Sequence, residues 1–161
     1  MTKDKIISLE TLLTWREEWK KTNQKVVFTN GCFDIVHLGH IDYLEKAKQK
    51  GNKLIVGLNS DESVKRIKGK KRPIIPQHAR LRMLAAMEFI DAVVIFEEDT
   101  PENLIENICP DVLVKGNDYE IKNIIGSDFV IKNGGKVETL ALVEGFSTSN
   151  IIQKIKEVEN L

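Results

Sequence analysis

The chain has 161 residues, 42% hydrophobic and 30% charged, with Lys+Arg and Asp+Glu balanced at 24 each. That size supports one domain with a real core, and the balanced charge removes the basic field that a general nucleic-acid binder needs. No apolar run approaches the roughly 20 residues of a membrane span, and no apolar core follows the opening MTKDKIISLE as it would in a signal peptide. Cys32 and Cys109 are too far apart in sequence for a metal-type pair. The expectation is a single domain over 1–161, with a helical segment at 1–24 ahead of an α/β core at 25–161. Reduced thiols, a cytoplasmic location and neither nucleic acid nor membrane as partner are expected with it.

Leu9, Leu12, Leu13 and Trp19 recur at helical spacing and predict a helix over 8–21. Val26-Val27-Phe28 reads as a short buried strand. A helix over 39–50 follows, with Ile41, Leu44 and Ala47 on one face and Gly51 as its stop. Leu54 to Leu58 is the next buried strand, and Ser60 or Asp61 caps a short helix ending near Gly69. A helix over 77–90 carries Leu81, Leu84, Ala85 and Met87. Ala92 to Phe96 is strand-like, and Thr100-Pro101 starts a helix with Pro at the first position. Val112 to Val114 is a strand, 127–132 a helix and Val137 to Leu142 a last strand. Ser147 opens a C-terminal helix containing Ile151, Ile152 and Ile155. This alternation predicts a Rossmann-like parallel sheet with helices on both faces. Such sheets bind ligands at the carboxyl ends of their strands, so the polar residues there carry the chemistry.

The first such loop runs from Thr29 to His40, reading TNGCFDIVHLGH. It leaves a strand and enters a helix, whose start offers unpaired N–H groups and a positive dipole end to phosphate. His37 and His40 bracket Gly39 at that start, where both imidazoles can donate to an α-phosphate as it gains charge. A zinc site would need further ligands, and His78 is the only other histidine. Near the far end, Gly145-Phe146-Ser147-Thr148-Ser149 opens a helix. One hydroxyl suffices for capping, and the surplus suggests a seat for the β- and γ-phosphates. Lys115, with Gly116 and Asp118, stands at another strand end. Lys65-Arg66 and Lys68 to Arg72 form a basic stretch, read either as a solvated surface or as an anion-grasping loop. Neither G-x-x-x-x-G-K-[ST] nor G-x-G-x-x-G occurs, which argues against a P-loop kinase and a dinucleotide oxidoreductase.

With TNGCFDIVHLGH, VGLNSDESVKRIKG, CPDVLVKGNDY, IIGSDFV and VEGFSTSNIIQKI, the chain resembles the cytidylyltransferase-like branch of the HxGH nucleotidyltransferases. These stretches cover nearly all of 8–158. The resemblance implies the HxGH nucleotidyltransferase fold, with His37 and His40 stabilising the α-phosphate in transfer. It implies that Thr29, Asn30, Gly31, Cys32 and Phe33 wrap the nucleotide and that Asp34 lies near the phosphates or the metal. Arg80 matches an arginine that meets phosphate, and Lys115, Gly116 and Asp118 line the nucleotide or acceptor side. Ser147, Thr148 and Ser149 bind the triphosphate tail. Ser149 stands for a usual threonine, Lys154 for a common arginine and Asn117 for a frequent glycine. The Lys154 exchange puts a bidentate contact in doubt.

The resemblance further implies ATP as substrate with Mg²⁺ carried mainly by phosphates and water, no metal ligand being assigned. The implied reaction moves AMP onto a heptose 1-phosphate, giving ADP-heptose for cell-envelope glycans. The acceptor would come from a separate sugar kinase. Members of the family are often dimers, which raises a homodimer here. Two alternatives stand beside this reading: a cytidylyltransferase acting on glycerol phosphate or another alcohol phosphate, and a nucleotide-binding module without turnover. Intact His37 and His40 argue against the second.

Overall fold

The computed structural model describes residues 1–159. Five strands, all parallel, form one sheet: β1 (Val26–Gly31), β2 (Lys53–Asn59), β3 (Ala92–Phe96), β4 (Val112–Gly116) and β5 (Lys136–Leu140), in the order β3-β2-β1-β4-β5. Seven helices connect and flank them: α1 (Leu9–Lys21), α2 (Leu38–Lys48), α3 (Asp61–Lys68), α4 (Gln77–Ala86), α5 (Glu102–Ile108), α6 (Ser127–Lys132) and α7 (Thr148–Glu159). Short 3₁₀ turns at Thr2–Lys5 and Ile121–Asn123 complete the order. β1 lies at the centre of the sheet, so the loop leaving it has the β2 and β3 ends on one side and the β4 and β5 ends on the other.

β1 to β4 carry apolar runs because both of their faces are buried. Val27, Leu54, Val56, Val93, Val112 and Val114 pack against Tyr43, Leu44 and Ala47 of α2 and Leu84 and Ala85 of α4. Their alternate neighbours Val26, Phe28, Ile55, Ala92, Val94 and Leu113 face Leu12 of α1, Leu104, Ile105 and Ile108 of α5 and Val130 of α6. This is the two-residue period of a strand applied to two cores. Each fully buried Leu or Ile contributes about 1.5–3 kcal/mol over an exposed one. Ahead of β1, the N-terminal residues join the same body. The Ile7 amide donates to the Val93 carbonyl at 3.1 Å, and Leu12 is fully buried. Among the described residues no helix is long and apolar enough to cross a membrane.

Local signals decide the helix starts. Ser8 accepts from the Thr11 amide at 3.2 Å to cap α1, and Ser60, rather than Asp61, accepts from the Ser63 amide at 3.1 Å to cap α3. Several boundaries differ from the sequence expectation, three of them for a clear local reason. The helix expected over 77–90 ends at Ala86, where Met87 turns to extended backbone and leads the chain into β3. Pro101 occupies the capping position of α5, one residue before the helix begins. The last strand runs Lys136–Leu140, set by pairing with β4 from Val112 to Gly116.

Candidate active site

At the carboxyl edge of the sheet lies a cavity of about 580 Å³, a size suited to a small ligand. The β1–α2 loop forms its floor through Asn30, Gly31, Cys32, Phe33, Asp34, His37 and His40. Lys115, Gly116 and Asp118 line the β4 side, and Ser147, Thr148 and Ser149 close the far wall at the start of α7. Most of the residues singled out in the sequence, from three separate segments, therefore meet at one place.

His37 stands at the capping position of α2 and His40 lies in its first turn. Their rings stack with centroids 3.8 Å apart and 22° between planes, and Phe33 meets His40 edge-on at 5.1 Å. Two glycines make this possible. A Cβ on Gly39 would stand 3.0 Å from the His37 ring and 3.2 Å from the Phe146 carbonyl, and one on Gly31 would stand 3.0 Å from the Phe33 ring. Gly39 thus lets the loop before α7 approach the start of α2. The Nδ1 atoms of both imidazoles are buried without a hydrogen-bond partner among the described residues. Burial disfavours a charged ring in each. His37 is lowered, and His40 is lowered to about 4 by burial and by His37, against a weaker opposing pull from the Ile35 backbone. Both are neutral at neutral pH, and each neutral ring carries a single N–H.

Lys115 is a half-buried cation. Its Nζ donates to the Asn30 Oδ1 at 2.5 Å and to the Asn30 carbonyl at 3.3 Å. Burial brings it down to about 8, against the raising influence of Cys32 and Asp118. An arriving anion would restore its charge preference. Burial also pushes the Cys32 thiol up, against Lys68, Arg80 and Arg72, so it stays protonated. At α7, Ser147 Oγ accepts from the Asn150 amide at 3.0 Å and caps the helix. The Thr148 and Ser149 hydroxyls make no hydrogen bond to any described residue, and both line the cavity.

Two expected site residues lie elsewhere. Thr29 is fully buried, its hydroxyl 2.8 Å from that of Tyr43, which also donates to the Val114 carbonyl at 3.1 Å. It ties β1 to α2 beneath the cavity. Arg80 is also fully buried. Its guanidinium donates to the carbonyls of Ile75, Cys32 and Asn59 and to the Asp61 carboxylate, at 2.6–2.9 Å. It supports the site from behind and has no face toward a phosphate. Asp34 lines the cavity, but its carboxylate is occupied by Arg72 and by the Ile74 and Ile75 amides. Of the basic stretch, Lys68 and Arg72 reach the cavity. Lys65 pairs with Glu62, and Arg66 pairs with Asp99.

Sequence reading did not single out Asp99 and Thr100 after β3, nor Tyr119, Leu142 and Phe146, all of which line the cavity. Asp99 and Thr100 follow a strand end, which was a usable signal. The apolar residues carried none, because in sequence they resemble any core residue.

The cytidylyltransferase-like family matches residues 28–154. The chain is 58% identical over 95% of its length to the bifunctional protein HldE of Campylobacter jejuni subsp. jejuni, covering 32% of that protein. It is 51% identical to the bifunctional protein HldE of Geobacter sulfurreducens, over 94% of this chain and 31% of that one. It therefore spans about a third of the length of these relatives. Among solved structures, the lipopolysaccharide core biosynthesis protein of Thermoplasma volcanium aligns with a TM-score of 0.59 and 28% identity, over 74% of this chain and 97% of that one. Pantoate-beta-alanine ligase of Francisella tularensis shares the fold alone, with a TM-score of 0.63 at 17% identity over 97% of this chain and 79% of that one. By sequence and by fold, the chain belongs to the cytidylyltransferase-like family of nucleotidyltransferases.

Proposed function

We propose that this chain transfers AMP from ATP to D-glycero-β-D-manno-heptose 1-phosphate, giving ADP-heptose and pyrophosphate. The observation that carries nucleotidyl transfer is the stacked His37–His40 pair, its buried Nδ1 atoms without a hydrogen-bond partner among the described residues, at the base of a cavity walled by the hydroxyls of α7. The heptose acceptor is supported by the 58% identity to the bifunctional protein HldE and by the likeness to a lipopolysaccharide core biosynthesis protein. A kinase that phosphorylates the sugar must supply this acceptor. In this reading the chain works in the cytoplasm, as a homodimer.

In the proposed reaction an oxygen of the acceptor's phosphate attacks the α-phosphorus in line, and pyrophosphate leaves. A phosphate monoester is already nucleophilic at neutral pH, so no general base is required. The protein supplies position and charge stabilisation. His37 and His40 donate to the non-bridging α-oxygens. Lys115 faces the substrate anions from the β4 side, and Thr148 and Ser149 hold the tail of the triphosphate. Among the described residues no group of three or more His, Cys, Asp or Glu is gathered to hold a metal, and Asp34 is engaged elsewhere. In this reading Mg²⁺ enters with the triphosphate.

The test is a product assay with four nucleoside triphosphates against sugar 1-phosphates, glycerol phosphate and amino-alcohol phosphates. ATP with heptose 1-phosphate should lead by at least about tenfold in kcat/KM, some 1.4 kcal/mol. Faster turnover of CTP with glycerol phosphate would replace this reading with an alcohol-phosphate cytidylyltransferase.

A further inference from the structure

Asp34 is almost completely buried, at 1% side-chain exposure, yet all its partners come from one segment about forty residues further along the chain. Oδ1 accepts from the Ile74 and Ile75 amides, each at 2.8 Å. Oδ2 accepts from the Arg72 Nε at 2.5 Å and from the Ile74 amide at 3.0 Å. Burial pushes the carboxyl up, but the two amides and Arg72 together outweigh it and hold it ionised. The far end of the segment is fixed too, because Arg80 binds the Ile75 and Cys32 carbonyls and so joins the segment to the Asp34 loop. At the near end Gly69 has a φ of +97°, and the Arg72 amide donates to the Gly69 carbonyl at 3.0 Å.

Arg72 lines the cavity beside Lys68, at 18% side-chain exposure. Only its Nε is engaged: Nη1 and Nη2 make no hydrogen bond to any described residue. An arginine pinned by Nε keeps a two-nitrogen fork for a second anion and has already lost most of its rotamer freedom. We propose that Asp34 is a positioning residue that anchors Arg72 through Nε, so that the remaining guanidinium fork binds a phosphate group of one of the substrates. Asp34 then acts through Arg72 and is not a metal ligand. The inference rests on nucleotidyl transfer and not on which acceptor is used.

The experiment compares wild type with Arg72→Ala, Arg72→Lys, Asp34→Asn and the Asp34→Asn/Arg72→Ala pair. Calorimetry measures affinity for a non-hydrolysable ATP analogue and for inorganic phosphate, and kinetics measure the KM of whichever acceptor wild type turns over. Arg72→Ala is expected to weaken at least one of these by tenfold or more, and the affected ligand identifies whose phosphate is held. Arg72→Lys should restore little, since an ammonium cannot sit on Asp34 and present a fork together. Asp34→Asn should shift the same ligand, and the pair should be no worse than Arg72→Ala alone. The Mg²⁺ concentration for half-maximal rate should not move in Asp34→Asn. Should Asp34→Asn fail to fold, the Arg72→Lys and Arg72→Ala comparison decides, because restoration by Lys would mean plain charge and overturn the anchored fork. The proposal is also overturned if Arg72→Ala leaves every measured constant within twofold, or if Asp34→Asn raises the Mg²⁺ requirement. Failure of the heptose reading shows separately, as wild type that turns over a different acceptor.

Discussion

The imidazoles of His37 and His40 stack 3.8 Å apart across the first turn of α2, so a charge on one ring disfavours a charge on the other. His40 is correspondingly held at about 4, below its ordinary 6.5, by burial first and His37 second. Since the folded value lies below the unfolded one, the neutral ring's contribution to stability is present above about pH 6.5. It is lost as pH falls from there through 4, because the unfolded chain takes up the proton first. An NMR titration of the free protein should find His40 neutral at pH 6, and bound ATP should raise its value, since phosphate favours the charged ring. A free-protein value near 6.5 would contradict the burial argument.

The same pair should dominate turnover. His37→Ala and His40→Ala each remove a donor to the reacting phosphate, so kcat should fall roughly a hundredfold, about 2.7 kcal/mol. Urea unfolding should change modestly, since neither Nδ1 has a hydrogen-bond partner among the described residues and the loss is confined to the ring contacts with each other and with Phe33. Near-normal turnover in both variants would remove the assignment of this site.

Arg80 sets the opposite pattern. Replacing it with Ala strands three carbonyls and the Asp61 carboxylate and opens a cavity behind the β1–α2 loop. Breaking a buried charged network of this kind costs about 3–5 kcal/mol. Urea denaturation of Arg80→Ala should therefore show a large loss of midpoint. An unchanged midpoint with weakened ATP affinity would instead return Arg80 to the phosphates.

Arg80 also marks where the sequence stops being informative. The order of strands and helices followed from apolar runs and caps, because each is a local property: Ser60 and Gly51 carry their meaning within four residues. The His37–His40 pair was legible for the same reason, since two side chains three apart at a helix start must share a side. What a long side chain does was not legible. In sequence Lys115 is a cation at a strand end, and Arg72 and Arg80 are cations between β2 and β3. The structure turns Arg80 into a buried brace, anchors Arg72 on Asp34 and seats Lys115 on Asn30. Those choices depend on contacts 38 to 85 residues apart, which no local pattern encodes. The place of Thr29 has a simpler cause: alternation along β1 sends its hydroxyl under the sheet edge to Tyr43.

Gly39→Ala separates stability from geometry. Alanine in a helix gains about 0.5–1 kcal/mol over glycine, which offsets mild crowding. The added Cβ, however, meets His37 at 3.0 Å and the Phe146 carbonyl at 3.2 Å, so the ring and the loop before α7 must shift by a few tenths of an ångström. Stability should stay within about 1 kcal/mol while kcat drops about tenfold. Unaltered kcat would mean that the stacking is incidental to turnover.

At α7 the hydroxyls divide the work. Ser147 caps the helix through the Asn150 amide, so Ser147→Ala should cost stability, about 1 kcal/mol, by fraying the first turn. Thr148 and Ser149 do no capping, and both line the cavity, so Thr148→Ala should leave the unfolding midpoint in place. If these hydroxyls hold the triphosphate tail, Thr148→Ala should weaken ATP about tenfold, some 1.4 kcal/mol, and combining it with Ser147→Ala should weaken it further. Acceptor KM should move less than twofold in either, because the acceptor has no phosphate to place at that wall. Calorimetry with ATP and with AMP completes the argument. AMP lacks the β- and γ-phosphates, so its affinity should be insensitive to Thr148→Ala. An equal loss for ATP and AMP would place Thr148 at the α-phosphate beside His40, and unchanged ATP affinity would leave all three residues as the start of a helix and nothing more.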